Sequence, residues 1–309
     1  MEKKILVAID GSVYSFNAIR YLAQLFEKLP DVKIHLLSLV SAASAPAAKE
    51  WMDDKEIMNT VDQDTRTRFK KCKSWLNESI IQLARHGFSP EQVTTEVQFT
   101  KTSIAKDILH IGKKGMFDAL VIGRRGISKL EEIILGSVSS DLLEKNKSLP
   151  VWIIDGRVNS RKFLVPVDGS QVSLHAVDHL SHVLNDNPYA EITLFHSQAM
   201  MANVKEVAPH ECKPKFGEEW CDLHASGDSS IFHAPRQILQ ENGFPADRIK
   251  YLTTTSGIYP SRQIVRQALM DEFGTIVLGR SSNYKKGIFK GTMEKVIGMA
   301  IDTAIWIVP

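Results

Sequence analysis

The residues from Gly123 to Ser139 combine the chemical groups that commonly hold phosphate. They read GRRGISKLEEIILGSVS, with the spacing G-x2-G-x9-G-S. Glycines let backbone amides approach an anion without a Cβ in the way. A helix that begins at Gly136 and Ser137 adds unpaired N–H groups and about half a positive charge. The hydroxyls of Ser137 and Ser139 add donors, so the segment predicts a phosphate cradle.

Two arginines lie inside this segment, and Arg124 or Arg125 could neutralise a terminal phosphate. The alternative is that the glycines only make tight turns and that Ser137 only caps a helix. Short glycine motifs recur by chance. Here the spacing is complete, and the segment follows a strand pattern and precedes a helix pattern. This context favours the phosphate cradle.

The chain has 309 residues, and its landmarks occur twice. Three segments of the first half recur in the same order in the second half: ILVAIDGS as FLVPVDGS, LVIGR as IVLGR, and VWII as IWIV. Such self-similarity indicates a duplicated structural unit. The sequence therefore predicts two tandem domains, residues 1–156 and 160–309.

The strand patterns within each unit are continuous apolar runs, such as ILVAI, ALVIG and VWII. Runs of this kind are typical of parallel strands that are covered by helices on both faces. Helical patterns alternate with them over 15–29, 69–86, 103–114 and 137–146. The order predicts an α/β fold with two doubly wound sheets and right-handed crossovers. Ligands of such sheets bind at the carboxyl ends of the strands, at the switch point.

Composition and charge exclude several classes of protein. Lys plus Arg total 38 and Asp plus Glu total 36, so a net charge of +2 exerts no global attraction toward nucleic acid or anionic lipid. The sequence contains no apolar run of about 18–20 residues, which is the length that a membrane-spanning helix needs. The three cysteines, an odd and small number, argue against a disulfide framework. We therefore expect a cytoplasmic protein.

The segments VAIDGS, VIGRRG, LGSVS and PVWII resemble the ATP-binding type of universal stress protein domain, and the resemblance covers essentially the whole chain as two tandem domains. It implies a five-stranded parallel sheet in each domain, similar to the adenine nucleotide alpha hydrolases. It also implies a regulatory protein of the stress response that binds ATP, AMP or ADP. The resemblance leaves open whether Mg²⁺ accompanies the nucleotide.

By this resemblance Asp10 contacts the nucleoside end of the ligand and Val40 borders adenine. The alternative for Asp10 is a turn or cap in the D-G-S segment, and both roles can hold together. The glycines and Ser137 surround the phosphates, with Val138 and Ser139 just beyond. The candidate binding residues are Ala8, Asp10, Val40, Gly123, Arg125, Gly126, Gly136, Ser137, Val138 and Ser139.

The second half departs from this pattern at two places. Ser282 stands where the second glycine should be, and Glu294 stands where the first half has Ser139. A carboxylate at that place would repel a phosphate at short range, although nearby lysines could offset it. The sequence predicts that the second site binds nucleotide weakly or not at all.

A second cluster contains four metal-binding residue types in the pattern H-x-C-x8-C-x2-H: His210, Cys212, Cys221 and His224. Thiolate and imidazole are ligands for zinc or iron. The alternative is a surface insertion without a metal, because the spacing matches no common zinc module. A metal- or redox-sensing adaptor is therefore one alternative function, whereas Cys72 lies on an apolar helix face and is predicted to be a core residue.

No catalytic residues are identified, because the sequence has no nucleophile elbow, no P-loop and no paired carboxylates at useful spacing. Slow ATP hydrolysis is the most we expect. An ATP-using ligase or nucleotidyl transferase on the same scaffold is a further alternative. The apolar closing strands predict that the two halves pair as a pseudo-dimer within one chain, with a homodimer and an unknown protein partner left open.

Overall fold

The computed structural model describes residues 2–41, 54–124, 137–146, 148–201, 209–225, 231–254, 257–280 and 291–309. The chain divides into two compact units, Met1–Arg157 and Val158–Pro309. Within the described ranges, no helix is both long enough and apolar enough to cross a membrane.

The first unit is a parallel sheet that alternates with helices. Its strands are β1 (Lys3–Ala8), β2 (Val32–Val40), β3 (Val93–Phe99), β4 (Ala119–Gly123) and β5 (Val151–Ile154). Its helices are α1 (Val13–Leu25), α2 (Asp54–Thr60), α3 (Gln63–Ala84), α4 (Ile104–Lys114) and α5 (Ser137–Lys145). The strand order is β3-β2-β1-β4-β5, and all four pairings are parallel.

The second unit repeats this arrangement. Its strands are β6 (Lys162–Pro166), β7 (Glu191–Ser197), β8 (Ile249–Thr254), β9 (Thr275–Gly279) and β10 (Ala304–Val308). Its helices are α6 (Gln171–Leu184), α7 (Pro209–Phe216), α8 (Glu218–His224), α9 (His233–Glu241), α10 (Pro260–Met270) and α11 (Thr292–Met299). The strand order is β8-β7-β6-β9-β10, again with parallel pairings.

The central strands are buried because their residues are apolar without interruption. In β1, Ile5, Leu6 and Val7 are fully buried, and the β4 residues Leu120 and Val121 are equally so. Burial on both faces is what the continuous apolar runs predict. The doubly wound α/β fold is confirmed. In each unit the first and fourth strands lie side by side, and the order in which strands are added to the sheet reverses between them.

The repeated D-G-S segment turns the first strand of each unit into its first helix. Gly11 and Gly169 have φ angles of +73° and +76°, a region that side chains with a Cβ rarely occupy. Ser12 and Ser170 then cap the helices by accepting hydrogen bonds from backbone N–H groups three residues later. The turn therefore begins α1 and α6 at the switch point of each sheet.

A second glycine pair is required by close packing at the same edge. A Cβ on Gly123 would lie 2.4 Å from the carbonyl carbon of Tyr14, and a Cβ on Gly279 would lie 2.1 Å from the carbonyl oxygen of Val172. The end of the fourth strand thus meets the start of the first helix without room for a side chain. This packing explains both glycines without a ligand.

Two of the three cysteines form a disulfide, which corrects the expectation that the chain has none. Cys212 of α7 and Cys221 of α8 are bonded to each other, and both side chains are buried. Cys72 is the free cysteine, and it is buried on α3. An odd number of cysteines requires only that one of them is unpaired, and the other two can still form a disulfide with each other.

The disulfide also argues against a metal site at this cluster. Its sulfurs are bonded to each other and cannot act as thiolate ligands. His224 Nδ1 lies 3.0 Å from His233 Nε2, so this imidazole has another partner, and the side chain of His210 lies outside the described residues. Within the described part of the chain, no group of three or more His, Cys, Asp or Glu residues is placed to hold a metal ion.

Substituting Gly279 by alanine should destabilise the second unit, because its new Cβ would overlap the Val172 carbonyl. We expect a loss of about 1–3 kcal/mol in the free energy of unfolding. Gly298 in α11 is the matched control, since a Cβ there meets nothing within 4 Å and alanine favours a helix by up to about 1 kcal/mol. Chemical denaturation of G279A and G298A measures both, and equal stabilities would contradict the packing argument.

The disulfide predicts the number of thiols that react with an alkylating reagent. When the protein is unfolded without a reductant, intact mass spectrometry should find one adduct, at Cys72. Reduction before alkylation should raise the number to three, because Cys212 and Cys221 are then released. The C72S variant should take up no label without reductant. Three adducts on unreduced wild-type protein would show that the bond is not formed.

Candidate functional site

A cavity of the first unit lies at the carboxyl edge of its sheet and has a volume of about 300 Å³. The ends of β1, β2 and β4 form its base, and α3, α4 and the beginning of α5 form its walls. It lies at the carboxyl ends of the neighbouring strands β1 and β4, where the strand order reverses, which is where open α/β sheets bind ligands.

Six of the ten candidate residues line this cavity: Ala8, Asp10, Val40, Gly123, Val138 and Ser139. They come from segments more than 130 residues apart along the chain, and the parallel sheet brings them to one edge. Arg125, Gly126 and Gly136 lie outside the described residues. Ser137 begins α5, and its side chain also lies outside them. The binding role of all ten residues stays a prediction.

Asp10 follows β1 and orders the turn below the cavity. Its Oδ1 accepts hydrogen bonds from the Ser12 backbone N–H at 3.0 Å and from the Ser12 hydroxyl at 2.6 Å. Ser12 rather than Asp10 caps α1, since its Oγ accepts from the Ser15 N–H at 3.2 Å. The turn role considered for Asp10 is therefore present, and its carboxylate also lines the cavity.

Ser38 of β2 and Cys72 of α3 line the cavity near the end of β2. The Ser38 hydroxyl is buried and donates to the Ile9 carbonyl at 2.8 Å, which ties the end of β2 to the end of β1. Cys72 of α3 lies next to it in a buried cluster with Val40 and Phe69. Burial raises the pKa of the Cys72 thiol, against the opposing effect of a hydrogen bond with Ser38. Cys72 therefore acts as a neutral, apolar wall.

One wall of the cavity comes from α3 and was not anticipated from the sequence. It consists of Arg68, Lys71, Cys72 and Trp75. The indole of Trp75 lies over the D-G-S turn, because a Cβ on Gly11 would lie 2.1 Å from Trp75 Cε2. The guanidinium of Arg68 lies 3.4 Å from the Ser41 carbonyl oxygen, just beyond β2.

Spacing is the signal that could have revealed this wall. Lys71 and Cys72 each lie three or four residues from both Arg68 and Trp75, so the four residues share one face of a helix. The spacing predicts the apolar member, Cys72, to be a core residue. Helical spacing alone does not place that face at the carboxyl edge of the sheet, because it does not indicate which strand ends a helix crosses.

Arg124 is not available to the cavity in the way the sequence suggested. Its side chain is 2% exposed, and its guanidinium nitrogen lies 3.5 Å from Asp155 Oδ2. Desolvation lowers the pKa of Arg124, and the charge of Asp155 partly opposes the effect. Arg124 is thus an internal partner of Asp155, and of the two arginines only Arg125 remains a candidate for a phosphate.

The second unit has a corresponding cavity of about 270 Å³. Asp168, Gly279, Thr292 and Met293 line it, at positions that match Asp10, Gly123, Ser137 and Val138 in the repeat. The expected weak binding of nucleotide here stays a prediction. The substituted segment 281–290 lies outside the described residues.

The first cavity combines three kinds of surface that suit a nucleotide. Apolar side chains such as Val40, Ile108 and Leu142 offer contacts for a flat ring. Asp10 offers a carboxylate that can accept hydrogen bonds from sugar hydroxyls. Arg68 and Lys71 outnumber this carboxylate among the described charged residues of the lining, which favours an anionic ligand.

Comparison with known proteins gives consistent matches. The model of the universal stress protein family matches residues 1–155. A universal stress protein of Mycolicibacterium smegmatis is 25% identical over 186 residues, and the alignment covers 58% of this chain and 58% of that protein. Another, from Methanocaldococcus jannaschii, is 24% identical over 156 residues, covering 49% of this chain and 81% of that protein. The chain thus spans little more than half the length of the mycobacterial relative.

A solved structure is similar over nearly the whole chain. The crystal structure of a universal stress protein from Archaeoglobus fulgidus is 18% identical, covers 99% of this chain and 97% of its own, and gives a TM-score of 0.62. At this identity the likeness supports the fold alone. Because the family model spans half of the chain and agrees with the repeated sheet and its switch-point cavity, the chain belongs to the universal stress protein family.

Proposed function

We propose that this protein is a regulatory protein of the stress response that binds an adenine nucleotide, ATP, AMP or ADP, in the cavity of its first unit. The observation that carries the proposal is the convergence of Asp10, Val40 and Ser139 on one cavity at the switch point of the sheet. These residues are far apart in the sequence, and the parallel sheet brings them to one edge.

The base and sugar of the nucleotide belong at the β1 and β2 side of the cavity. Val40 is 2% exposed and borders the cavity together with the Trp75 indole, so a flat heteroaromatic ring finds apolar surface there. The carboxylate of Asp10 lies beside this surface and can accept hydrogen bonds from ribose hydroxyls. The same oxygen type suits Mg²⁺, which would add positive charge beside the phosphates when bound.

The phosphates belong at the start of α5. Ser139 is 5% exposed and lines the cavity from the first turn of this helix. Its hydroxyl can donate to a phosphate oxygen, and the helix start contributes N–H groups and a positive dipole end. We propose that Gly126, Gly136 and Arg125 complete this end.

The proposed protein binds the nucleotide and acts in regulation, and it hydrolyses ATP slowly at most. Among the described lining residues, Asp10 is the one carboxylate, and its Oδ1 already accepts two hydrogen bonds from Ser12. A general base for water needs an oxygen or nitrogen placed at the attacking position. Occupancy by nucleotide would instead shift the balance between conformations of the chain.

We also propose a cytoplasmic location, on the basis of the low cysteine content. Disulfides are uncommon in reducing compartments. In the cytoplasm the buried bond between Cys212 and Cys221 would have to persist despite the reducing conditions. Its state in cells can be read by trapping thiols at lysis.

Replacing Ser139 by glutamate should weaken nucleotide binding, because it recreates in the first unit the carboxylate that the second unit has at Glu294. At an effective dielectric constant of about 20, two charges 4 Å apart repel by about 4 kcal/mol, so we expect ATP binding to weaken at least about tenfold. Isothermal titration calorimetry measures this.

The matched control is S140E, since Ser140 is the next residue of α5 and is exposed. It should bind ATP as the wild type does. The milder S139A variant removes only the hydroxyl and guards against misfolding of S139E. A folded S139E protein with wild-type affinity for ATP would contradict the placement of the phosphates.

Nucleotide binding should also change the fluorescence of Trp75, because its indole lines the cavity beside Asp10. We expect ATP to alter the emission of the wild type, and W75F to lose most of this change while calorimetry still detects binding. W220F is the control, since Trp220 lies in α8 of the other unit and should leave the signal intact. A full signal in W75F would place the ligand elsewhere.

A further inference from the structure

The hairpin formed by α7 and α8 consists of two short helices that the disulfide between Cys212 and Cys221 joins. The helices have 8 and 7 residues, and isolated helices shorter than about 12–15 residues are marginal in water. The first of them also contains Pro214, which removes a backbone donor from the helix. The hairpin therefore depends on the disulfide and on its contacts with neighbouring helices.

The connection between α7 and α8 is the exposed residue Gly217, which has a φ angle of +86°. A Cβ at this position would meet nothing within 4 Å, so no described side chain packs against the turn. Lys213 and Glu218 form an ion pair across it, but both side chains are partly or largely exposed, and exposed pairs contribute little to stability. Because glycine accepts many backbone conformations, Gly217 is suited to act as a hinge once the sulfurs separate.

The hairpin packs against α6 and α9 of the same unit. On α6, the Lys215 ammonium lies 2.7 Å from a carboxylate oxygen, and the ring centroids of Phe216 and His175 are 6.3 Å apart. On α9, the indole N–H of Trp220 donates to Glu241 Oε2 at 2.8 Å. The ion pair and the indole hydrogen bond join partly exposed side chains, so water can replace both when the hairpin moves away.

The side chain of His175 favours movement of the hairpin. Its Nε2 atom is buried and has no hydrogen-bond partner among the residues that the structure describes. Burial lowers the pKa of this imidazole, and the charge of Lys215 on the hairpin lowers it further. A buried polar atom without a partner has lost its hydrogen bonds with water. Release of the hairpin would restore them, so the closed arrangement carries a cost that the disulfide helps to offset.

We propose that the bond between Cys212 and Cys221 is a redox switch, which a dithiol reductant opens to release the hairpin from α6 and α9. Disulfides that occur in reducing compartments are usually transient or redox-sensing. In the oxidised protein the hairpin covers His175. In the reduced protein the face of α6 around His175 and the aromatic side chains of the hairpin become accessible. The inference does not depend on nucleotide binding by the first unit.

The chemistry of the switch is thiol–disulfide exchange. Both sulfurs are buried, so the attack takes place when the hairpin opens transiently. One thiolate of the dithiol bonds to one cysteine sulfur, and the other cysteine leaves and takes up a proton. The second thiol of the reductant then displaces the first cysteine. The dithiol is oxidised to a disulfide, and Cys212 and Cys221 both end as thiols. Oxidised glutathione reverses the reaction by accepting the two electrons.

Hydrogen exchange of the folded full chain, read by mass spectrometry before and after incubation with dithiothreitol, tests this inference. Alkylation of parallel samples after unfolding verifies the two states, with one adduct before reduction and three after it. In the reduced protein we expect the amides of α7 and α8 to exchange at least about tenfold faster. Those of α6 near His175 should lose part of their protection, and oxidised glutathione should restore the original exchange.

Peptides of β6 and β7 are the internal control, because a switch confined to the hairpin leaves the sheet protected. The variant Cys72→Ser lacks the free thiol of the first unit and should respond as the wild type does. Failure of dithiothreitol to reduce the folded protein, or unchanged exchange of α7 and α8 after reduction, would overturn the inference. Loss of protection in β6 and β7 as well would show that the bond is a structural requirement of the unit, which also overturns it.

Discussion

The turn at Asp10, Gly11 and Ser12 is the constraint on which the first cavity depends. Its carboxylate holds the Ser12 N–H and hydroxyl, its glycine takes a φ of +73°, and its serine starts α1. The end of β4 must then approach that helix start so closely that only glycine fits at position 123. Together these requirements leave a cavity between strand ends, and the same turn at Asp168 produces it again in the second unit.

Because the scaffold is duplicated, the two cavities differ by side chains rather than by backbone. Ser38 and His196 make the same contact with a carbonyl of the neighbouring strand, and each lines the cavity of its own unit. Ser139 lines the cavity of the first unit, whereas Glu294, at the matching position of the repeat, lies against Gly291 at the start of α11. Matching positions of the two units therefore carry different side chains while the packing that maintains the sheet stays intact.

Several features depended on contacts that the linear sequence does not reveal. The face of α3 that carries Arg68 and Trp75 has ordinary helical spacing, and only its position over the D-G-S turn makes it a cavity wall. Arg124 looked suited to phosphate, but it is buried against Asp155. Cys212 and Cys221 looked like metal ligands, yet the helical hairpin of α7 and α8 brings their sulfurs into a bond with each other.

The class of fold, the repeat and six residues of the first cavity could be predicted from the amino-acid sequence. This is possible because buried parallel strands, glycine turns and helix caps are local patterns, and the carboxyl ends of parallel strands always meet at one edge. Packing in three dimensions sets which helix covers that edge, which arginine is paired internally, and which two cysteines are bonded. These outcomes depend on packing between segments distant in the chain, and no local pattern encodes such a distance.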